Sequence, residues 1–327
     1  MTTMRQRIGE RVVGRQRELD LILAVLEAGR DILVEGPPGT SKSTLLRAIA
    51  AEWGVPVVLV EGNADLTPAK LIGSHDPARV LQEGYRDDNF VDGPLLRAMR
   101  EGGFLYIEEF NRAPDDTINT LLSAITEREI VVPRIGRVAA APTFRVIGTM
   151  NPHDNVGTTA LAMSVHDRFN RLEVGYQDAE AELAIVAMHA NGTHASGTQG
   201  DGVSHDGTAG APARLAESLR HDAVQLTRAT REHPEIRQGS SVRGAIDLYL
   251  VTMELLQLRG ITEAGEGRAA PEGSPRHRYA TAVYDAMVVA LSGRIHVDEA
   301  SESTPEAVLR HIWETHFLLD PAAAEPG

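Results

Sequence analysis

Short apolar runs alternate with segments of helical periodicity through the first half of the chain. The apolar runs predict buried strands at 32–35, 56–60, 104–107 and 144–148. The segments between them predict helices at 15–26, 43–52, 95–100 and 115–126. Buried strands separated by helices are typical of a parallel sheet that is covered on both faces. The pattern therefore predicts an α/β core.

From Asp178 onward the pattern is helical. We expect helices at 178–190, 213–231, 241–258, 277–291 and 304–318. Two segments rich in small and polar residues, 191–212 and 262–275, can bury little, so we expect flexible insertions there. His194 and His205 in the first insertion are interpreted as solvated loop residues rather than metal ligands. We expect an α/β core at 1–176 and an all-helical C-terminal domain at 177–327.

The composition narrows the classes of function. The chain has 327 residues, of which 42% are hydrophobic, and it has no cysteine, which excludes disulfides and thiolate metal sites. Its formal net charge of −14 disfavours nonspecific binding of nucleic acid, because the phosphates would meet overall repulsion. No apolar run approaches the roughly 20 residues needed to cross a bilayer. Since the N-terminus also lacks the apolar segment of a signal peptide, we expect a cytoplasmic protein without membrane contact.

A glycine-rich loop, GPPGTSKS, follows the first predicted strand and precedes a helix. Backbone N–H groups in such a loop can point at a phosphate chain, and the helix dipole favours negative charge there. We expect Lys42 to reach the β- and γ-phosphates and the Ser43 hydroxyl to hold Mg²⁺. Ser41 replaces the usual second glycine, but it should begin the helix, so we expect a small effect. The expected nucleotide contacts are Gly36, Pro37, Pro38, Gly39, Thr40, Ser41, Lys42, Ser43 and Thr44.

Polar residues end the third and fourth predicted strands. Glu108 and Glu109 follow the apolar run 104–107, and Asn151 follows the run 144–148. Beside a phosphate loop, Glu108 can hold the Mg²⁺ shell and Glu109 can polarise the attacking water. Glu108 is one methylene longer than the aspartate usual there, which allows contact with Mg²⁺ through water. The Asn151 amide should emerge at the same sheet edge, where it can bind both the water and the γ-phosphate.

In this order, the motifs resemble those of AAA+ ATPases, and within that superfamily those of the MoxR family. The resemblance spans about residues 10–258 and rests also on VVGR at 12–15, EFNRAP at 109–114, TMNP at 149–152, HDRF at 166–169 and GSSVR at 239–243. It implies a sheet ordered 5-1-4-3-2, a C-terminal helical lid and a ring that usually has six subunits. It also implies an insertion between Ala64 and Gly93 and a hairpin near 129–143.

The resemblance also assigns roles to individual residues. Lys42 and Ser43 match the Walker A lysine and hydroxyl, Glu108 and Glu109 the Walker B acids, and Asn151 the sensor 1 residue. Arg168 matches the arginine finger that reaches a neighbouring subunit, Arg243 matches the sensor 2 arginine, and Val13 and Gly14 lie where the family packs adenine.

Several positions leave room for other interpretations. Arg112, Arg128 and Arg171 remain competitors for the interface role of Arg168. Asn63 ends the second predicted strand and could couple to Glu109, although a turn-forming asparagine is the ordinary explanation. Ser41, Glu108 and the Ser241-Val242 pair, where a proline is common, depart from the family pattern.

The resemblance implies hydrolysis of Mg·ATP between ring subunits, with remodelling, assembly or metallocofactor loading of a protein partner. That partner class includes von Willebrand factor A domain proteins. Two alternatives stay open: a nucleotide-gated scaffold with little hydrolysis, and a ring ATPase that acts on nucleic acid. Ser41 and Glu108 would be signs of the first, while the acidic balance and the lack of a Lys/Arg-rich run count against the second.

Overall fold

The computed structural model describes residues 2–152, 162–192, 213–267, 270–298 and 300–319. The chain divides into two compact units, Met1–Tyr176 and Gln177–Gly327. Most of the insertion expected at 191–212 lies outside the described residues, as do His194 and His205. Within the described part of the segment 262–275, the chain forms neither helix nor strand before Pro275.

Strands in the described residues occur mainly in the first unit. They are β1 (Ile32–Glu35), β2 (Val57–Glu61), β3 (Gly73–His75), β4 (Phe90–Asp92), β5 (Phe104–Glu108), β6 (Glu129–Val132), β7 (Gly136–Ala139), β8 (Arg145–Met150), β9 (Asn170–Glu173), β10 (Ile236–Gln238) and β11 (His296–Val297). Five of them form a parallel sheet in the spatial order β2-β5-β8-β1-β9. Counted along the chain, these five strands have the order 5-1-4-3-2, which confirms the predicted topology.

Helices of the first unit cover both faces of this sheet. They are α1 (Thr2–Arg11), α2 (Gln16–Glu27), α3 (Lys42–Trp53), α4 (Pro68–Ile72), α5 (Pro77–Glu83), α6 (Pro94–Glu101), α7 (Asp115–Glu127) and α8 (Met163–Arg168). Successive strand residues point to opposite faces, so Ile32 and Val34 pack against α1, α2 and α3, while Leu33 faces the layer that contains α6 and α7. Full burial of one such side chain stabilises the fold by about 1.5–3 kcal/mol.

Two antiparallel strand pairs project from this core. β3 and β4 pair within the expected insertion between Ala64 and Gly93, together with α4 and α5. β6 and β7 form the hairpin that the family resemblance implied near 129–143. Both expected features of the first unit are therefore present.

The second unit is mostly helical. Its helices are α9 (Ala179–Gly192), α10 (Ala213–Glu232), α11 (Val242–Leu258), α12 (Pro275–Leu291) and α13 (Pro305–Phe317). The Asp222 carboxylate joins three of them, because it accepts a hydrogen bond from the Tyr279 hydroxyl at 2.7 Å and contacts His316 Nε2 at 2.8 Å. The expectation of an all-helical unit was wrong in one respect, since β10 and β11 pair as a short antiparallel ribbon. None of the described helices is long and apolar enough to cross a membrane.

Candidate nucleotide-binding site

The loop between β1 and α3 has the backbone of an anion-binding turn. Gly36, Gly39 and Ser41 all have positive φ, and a Cβ on Gly36 would lie 2.0 Å from the Val174 carbonyl oxygen. Such turns make successive backbone N–H groups converge, and α3 begins directly after the loop. Lys42 Nζ donates to the carbonyl oxygens of Gly36 and Pro37, both at 2.7 Å. The loop therefore offers converging donors and a nearby ammonium group to a phosphate chain.

Ser41 differs from its expected conformation. The sequence predicted that it begins the helix, but its φ of 64° and ψ of 16° are left-handed, and α3 begins at Lys42. The glycine usual at this position adopts that conformation without a Cβ clash, whereas an L-residue there costs about 1–2 kcal/mol. We predicted a small effect of Ser41 because we expected it to be helical, and that expectation was wrong.

Arg15 joins the turn at Val13 and Gly14 to the phosphate loop. Its side chain is buried, and one terminal nitrogen donates to the carbonyl oxygens of Thr40 at 3.0 Å and Gly175 at 2.7 Å. The turn expected to pack adenine is thereby held against the loop expected to bind phosphate. Our sequence reasoning missed the role of Arg15, because the contacts that reveal it are 25 and 160 residues away along the chain.

Glu108 lies on the α3 side of the sheet, as the expected Mg²⁺ role requires. Its side chain lies on the same face of β5 as those of Phe104 and Tyr106. Its Oε1 is 3.1 Å from a terminal guanidinium nitrogen of Arg47, a residue of α3. The Tyr106 hydroxyl is buried close to the side chains of Ser43, Thr149 and Glu108. Burial raises the pKa of Tyr106, and the Glu108 carboxylate raises it further.

These groups suit a hydrated divalent cation. Ser43 and Glu108 offer the hydroxyl and carboxylate oxygens that Mg²⁺ prefers, and Mg²⁺ usually keeps several of its waters. The buried hydroxyl of Tyr106 lies close enough to Ser43 and Glu108 to bond to such a water. Arg47, which sequence reasoning missed, is the group that now contacts the carboxylate of Glu108.

Glu109 is held in an uncommon backbone conformation. Its φ of 53° and ψ of 46° are left-handed, and it precedes a short 3₁₀ turn in which the Arg112 N–H donates to the Glu109 carbonyl at 2.9 Å. The Arg112 guanidinium also contacts the Glu109 carboxylate at 3.0 Å. Backbone and side chain of Glu109 are therefore both held by Arg112.

A buried amide ties this turn to the end of β8. Asn111 Nδ2 donates to the Asn151 carbonyl oxygen at 3.2 Å, which brings the expected water-polarising and sensor segments together. Sequence reasoning missed Asn111. Asn63, in contrast, closes its own turn, since its side chain bonds to Glu61 and Asp65. The turn-forming interpretation of Asn63 agrees with this geometry.

The candidate interface arginines differ in their surroundings. Arg168 ends α8 with an exposed side chain that donates to the Thr126 hydroxyl at 2.8 Å and the Ser164 carbonyl at 3.0 Å. Of its competitors, Arg112 contacts Glu109, Arg128 donates to the Phe144 carbonyl and Arg171 contacts the buried Glu35 at 2.5 Å. Arg243 lies in the second unit, exposed on the first turn of α11. The finger and sensor 2 roles stay predictions.

Residues 31–169 match the family model of the AAA domain of the dynein-related subfamily. The gas vesicle ATPase GvpN of Ancylobacter aquaticus is 31% identical over 68% of this chain and 61% of its own length. The uncharacterized protein SERP0979 of Staphylococcus epidermidis is 33% identical over 48% of this chain and 60% of its own. The chain thus spans about three fifths of the length of these relatives.

A solved structure supports the fold independently. A mutant of Thermotoga maritima RuvB superposes with a TM-score of 0.53 at 17% identity, covering 88% of this chain and 73% of that one. At this level of identity the likeness shows a shared fold alone.

Proposed function

We propose that this chain, whose residues 31–169 form an AAA+ ATPase domain, is a MoxR-like ATPase that hydrolyses Mg·ATP between the subunits of a ring. One observation carries the proposal. The loop that holds Lys42 and the turn that holds Glu109 follow β1 and β5, whose carboxyl ends lie at one edge of the same parallel sheet. Ligands of open α/β sheets bind outside the carboxyl ends of the strands.

Lys42 and the loop bind the triphosphate. Lys42 Nζ exchanges the carbonyl oxygens of Gly36 and Pro37 for phosphate oxygens, while the backbone N–H groups of the loop hold the phosphate chain. Ser43 and Glu108 would hold Mg²⁺. The bound ion would neutralise negative charge on the phosphate oxygens.

Glu109 acts on the attacking water. Its carboxylate accepts the water proton as the water oxygen bonds to the γ-phosphorus and the bond to the ADP oxygen breaks. Asn151 orients the water through its amide. Arg168 of a neighbouring subunit neutralises charge on the transferring phosphoryl group, an effect worth about 10³–10⁵ in rate in GTPases.

A mixing experiment tests the shared site. Lys42→Ala and Arg168→Ala are each expected to lack turnover. Each site in the ring needs Lys42 from one subunit and Arg168 from its neighbour. After random mixing of equal amounts of the two variants, about a quarter of the sites have both residues intact. Turnover should therefore return in part, as measured by phosphate release.

Lys42→Ala mixed with Glu109→Ala is the matched control. Lys42 and Glu109 act from the same subunit, so no arrangement of this mixture restores a complete site. If mixed rings of the first pair form without any recovery, Arg168 does not act between subunits. If wild type and Glu109→Gln turn over ATP equally slowly, the nucleotide-gated scaffold is the better description.

The client is a protein that the ring remodels, assembles or loads with a metallocofactor. The similarity to a gas vesicle ATPase makes gas vesicle proteins the first class to test, and the MoxR resemblance adds von Willebrand factor A domain proteins. Glu109→Gln protein loaded with ATP should retain its client and release it in ADP. Lys42→Ala protein is the control, and equal retention by both variants would count against nucleotide-dependent binding of a client.

A further inference from the structure

We propose that Gly62 is a positioning residue for Glu109, because the space left by its missing side chain sets the backbone of Glu109. The inference rests on the proposed function, in which Glu109 polarises the attacking water. Gly62 directly follows β2, the neighbour of β5 in the sheet. Its backbone lies directly against Glu108 and Glu109 at the end of β5.

Gly62 approaches the end of β5 too closely for any side chain. Its N–H donates to the Glu108 carbonyl oxygen at 2.7 Å, which extends the pairing of β2 and β5 by one residue. A Cβ on Gly62 would lie 2.3 Å from the Glu109 carbonyl oxygen and 2.9 Å from its carbonyl carbon. Real Cβ atoms essentially never approach backbone atoms so closely. Gly62 does not have a positive φ. A glycine is therefore required by the lack of space for a Cβ and not by the backbone conformation.

The atom that a Cβ would strike also belongs to the turn that holds Glu109. The Glu109 carbonyl accepts the Arg112 N–H at 2.9 Å, and the residue is left-handed with φ 53°. Left-handed residues other than glycine persist only where their surroundings hold them there. A methyl group on Gly62 would push this carbonyl and rotate the peptide that follows it. The Glu109 carboxylate would then move with its own backbone.

Such a movement should affect the chemical step more than nucleotide binding. A misplacement of about 1 Å in a catalytic group can cost about 100-fold in rate. The phosphate loop follows β1, which is separated from β2 by β8 and β5 in the sheet, so a methyl on Gly62 has no direct contact with it.

Gly62→Ala tests this inference in the full-length protein. We expect kcat for ATP to fall about 10- to 100-fold, while the Kd for a non-hydrolysable ATP analogue stays unchanged. Gly9→Ala is the matched control, because a Cβ on that α1 glycine would meet nothing within 4 Å. It should leave both quantities unchanged.

A second comparison separates positioning from general damage. If Gly62 acts through Glu109, adding Gly62→Ala to Glu109→Gln should change the residual single-turnover rate by less than about twofold, because the affected group is already gone. Gly62→Ala with wild-type kcat overturns the inference, as does loss of analogue binding together with turnover. A Glu109→Gln protein as active as wild type would instead refute the proposed role of Glu109.

Discussion

Ser41 has a left-handed backbone directly before α3, so replacing this one residue by glycine should change the stability of the protein. An L-residue there costs about 1–2 kcal/mol, while glycine loses about 0.5–1 kcal/mol more conformational entropy on folding. We therefore expect Ser41→Gly to stabilise the folded protein by up to about 1.5 kcal/mol, measured as a higher thermal midpoint. ATP hydrolysis should be retained, since Lys42 and Ser43 are unchanged.

Ser41→Ala is the control for this substitution, because it removes the hydroxyl and keeps the Cβ. It should give no stabilisation. A gain equal to that of Ser41→Gly would show that the hydroxyl, and not the backbone, is the source of the cost. A many-fold rise in turnover with Ser41→Gly would favour the scaffold alternative, in which Ser41 marks a weakened ATPase.

The left-handed backbones of Ser41 and Glu109 could not be predicted from the sequence. Two of the four non-glycine residues with positive φ in the described part of the chain, Ser41 and Glu109, lie in the candidate site. Strained conformations concentrate at functional sites because the surrounding structure holds them. The residue types of Ser41 and Glu109 gave no sign of it, since neither serine nor glutamate favours this conformation.

At the scale of elements, the strands with apolar cores were predictable and the others were not. β1 and β5 were predicted within one residue of their observed ends, because buried strands of a parallel sheet are almost continuously apolar. The edge strand β9 reads NRLE and buries only Leu172, so no apolar run marked it. α1 was missed for a similar reason, since its apolar contact with the core centres on the single buried residue Ile8.

The same distinction applies to the elements of the candidate site. The phosphate loop and the acids after β5 were found because each is a local motif with a fixed spacing. Arg15, Arg47 and Asn111 were not found, because their roles depend on partners far away along the chain. A single sequence contains no direct record of such contacts, so the residues that hold the site together needed the structure.

The fold of the whole molecule does not by itself determine its function. The likeness to RuvB concerns the fold, and one fold can host many functions. The formal net charge of −14 weighs against a nucleic-acid substrate, because phosphate contacts depend on an excess of positive charge. The proposed protein client therefore fits the charge of this chain better than a nucleic acid does.

Arg243 belongs to the second unit, and the family resemblance assigns it the sensor 2 role, in which its guanidinium would contact the γ-phosphate of bound ATP. Its side chain is exposed on the first turn of α11. A hydrogen bond between charged groups contributes about 1.5–3 kcal/mol, so Arg243→Ala should weaken binding of an ATP analogue by about 10- to 100-fold. ADP affinity should stay unchanged, because the γ-phosphate is the group that Arg243 contacts in this proposal.

Calorimetric titration with an ATP analogue and with ADP measures this difference. Arg237→Ala, which changes an exposed arginine of β10, is the control. Equal losses for ATP analogue and ADP would mean that Arg243 supports the unit without distinguishing the two nucleotides.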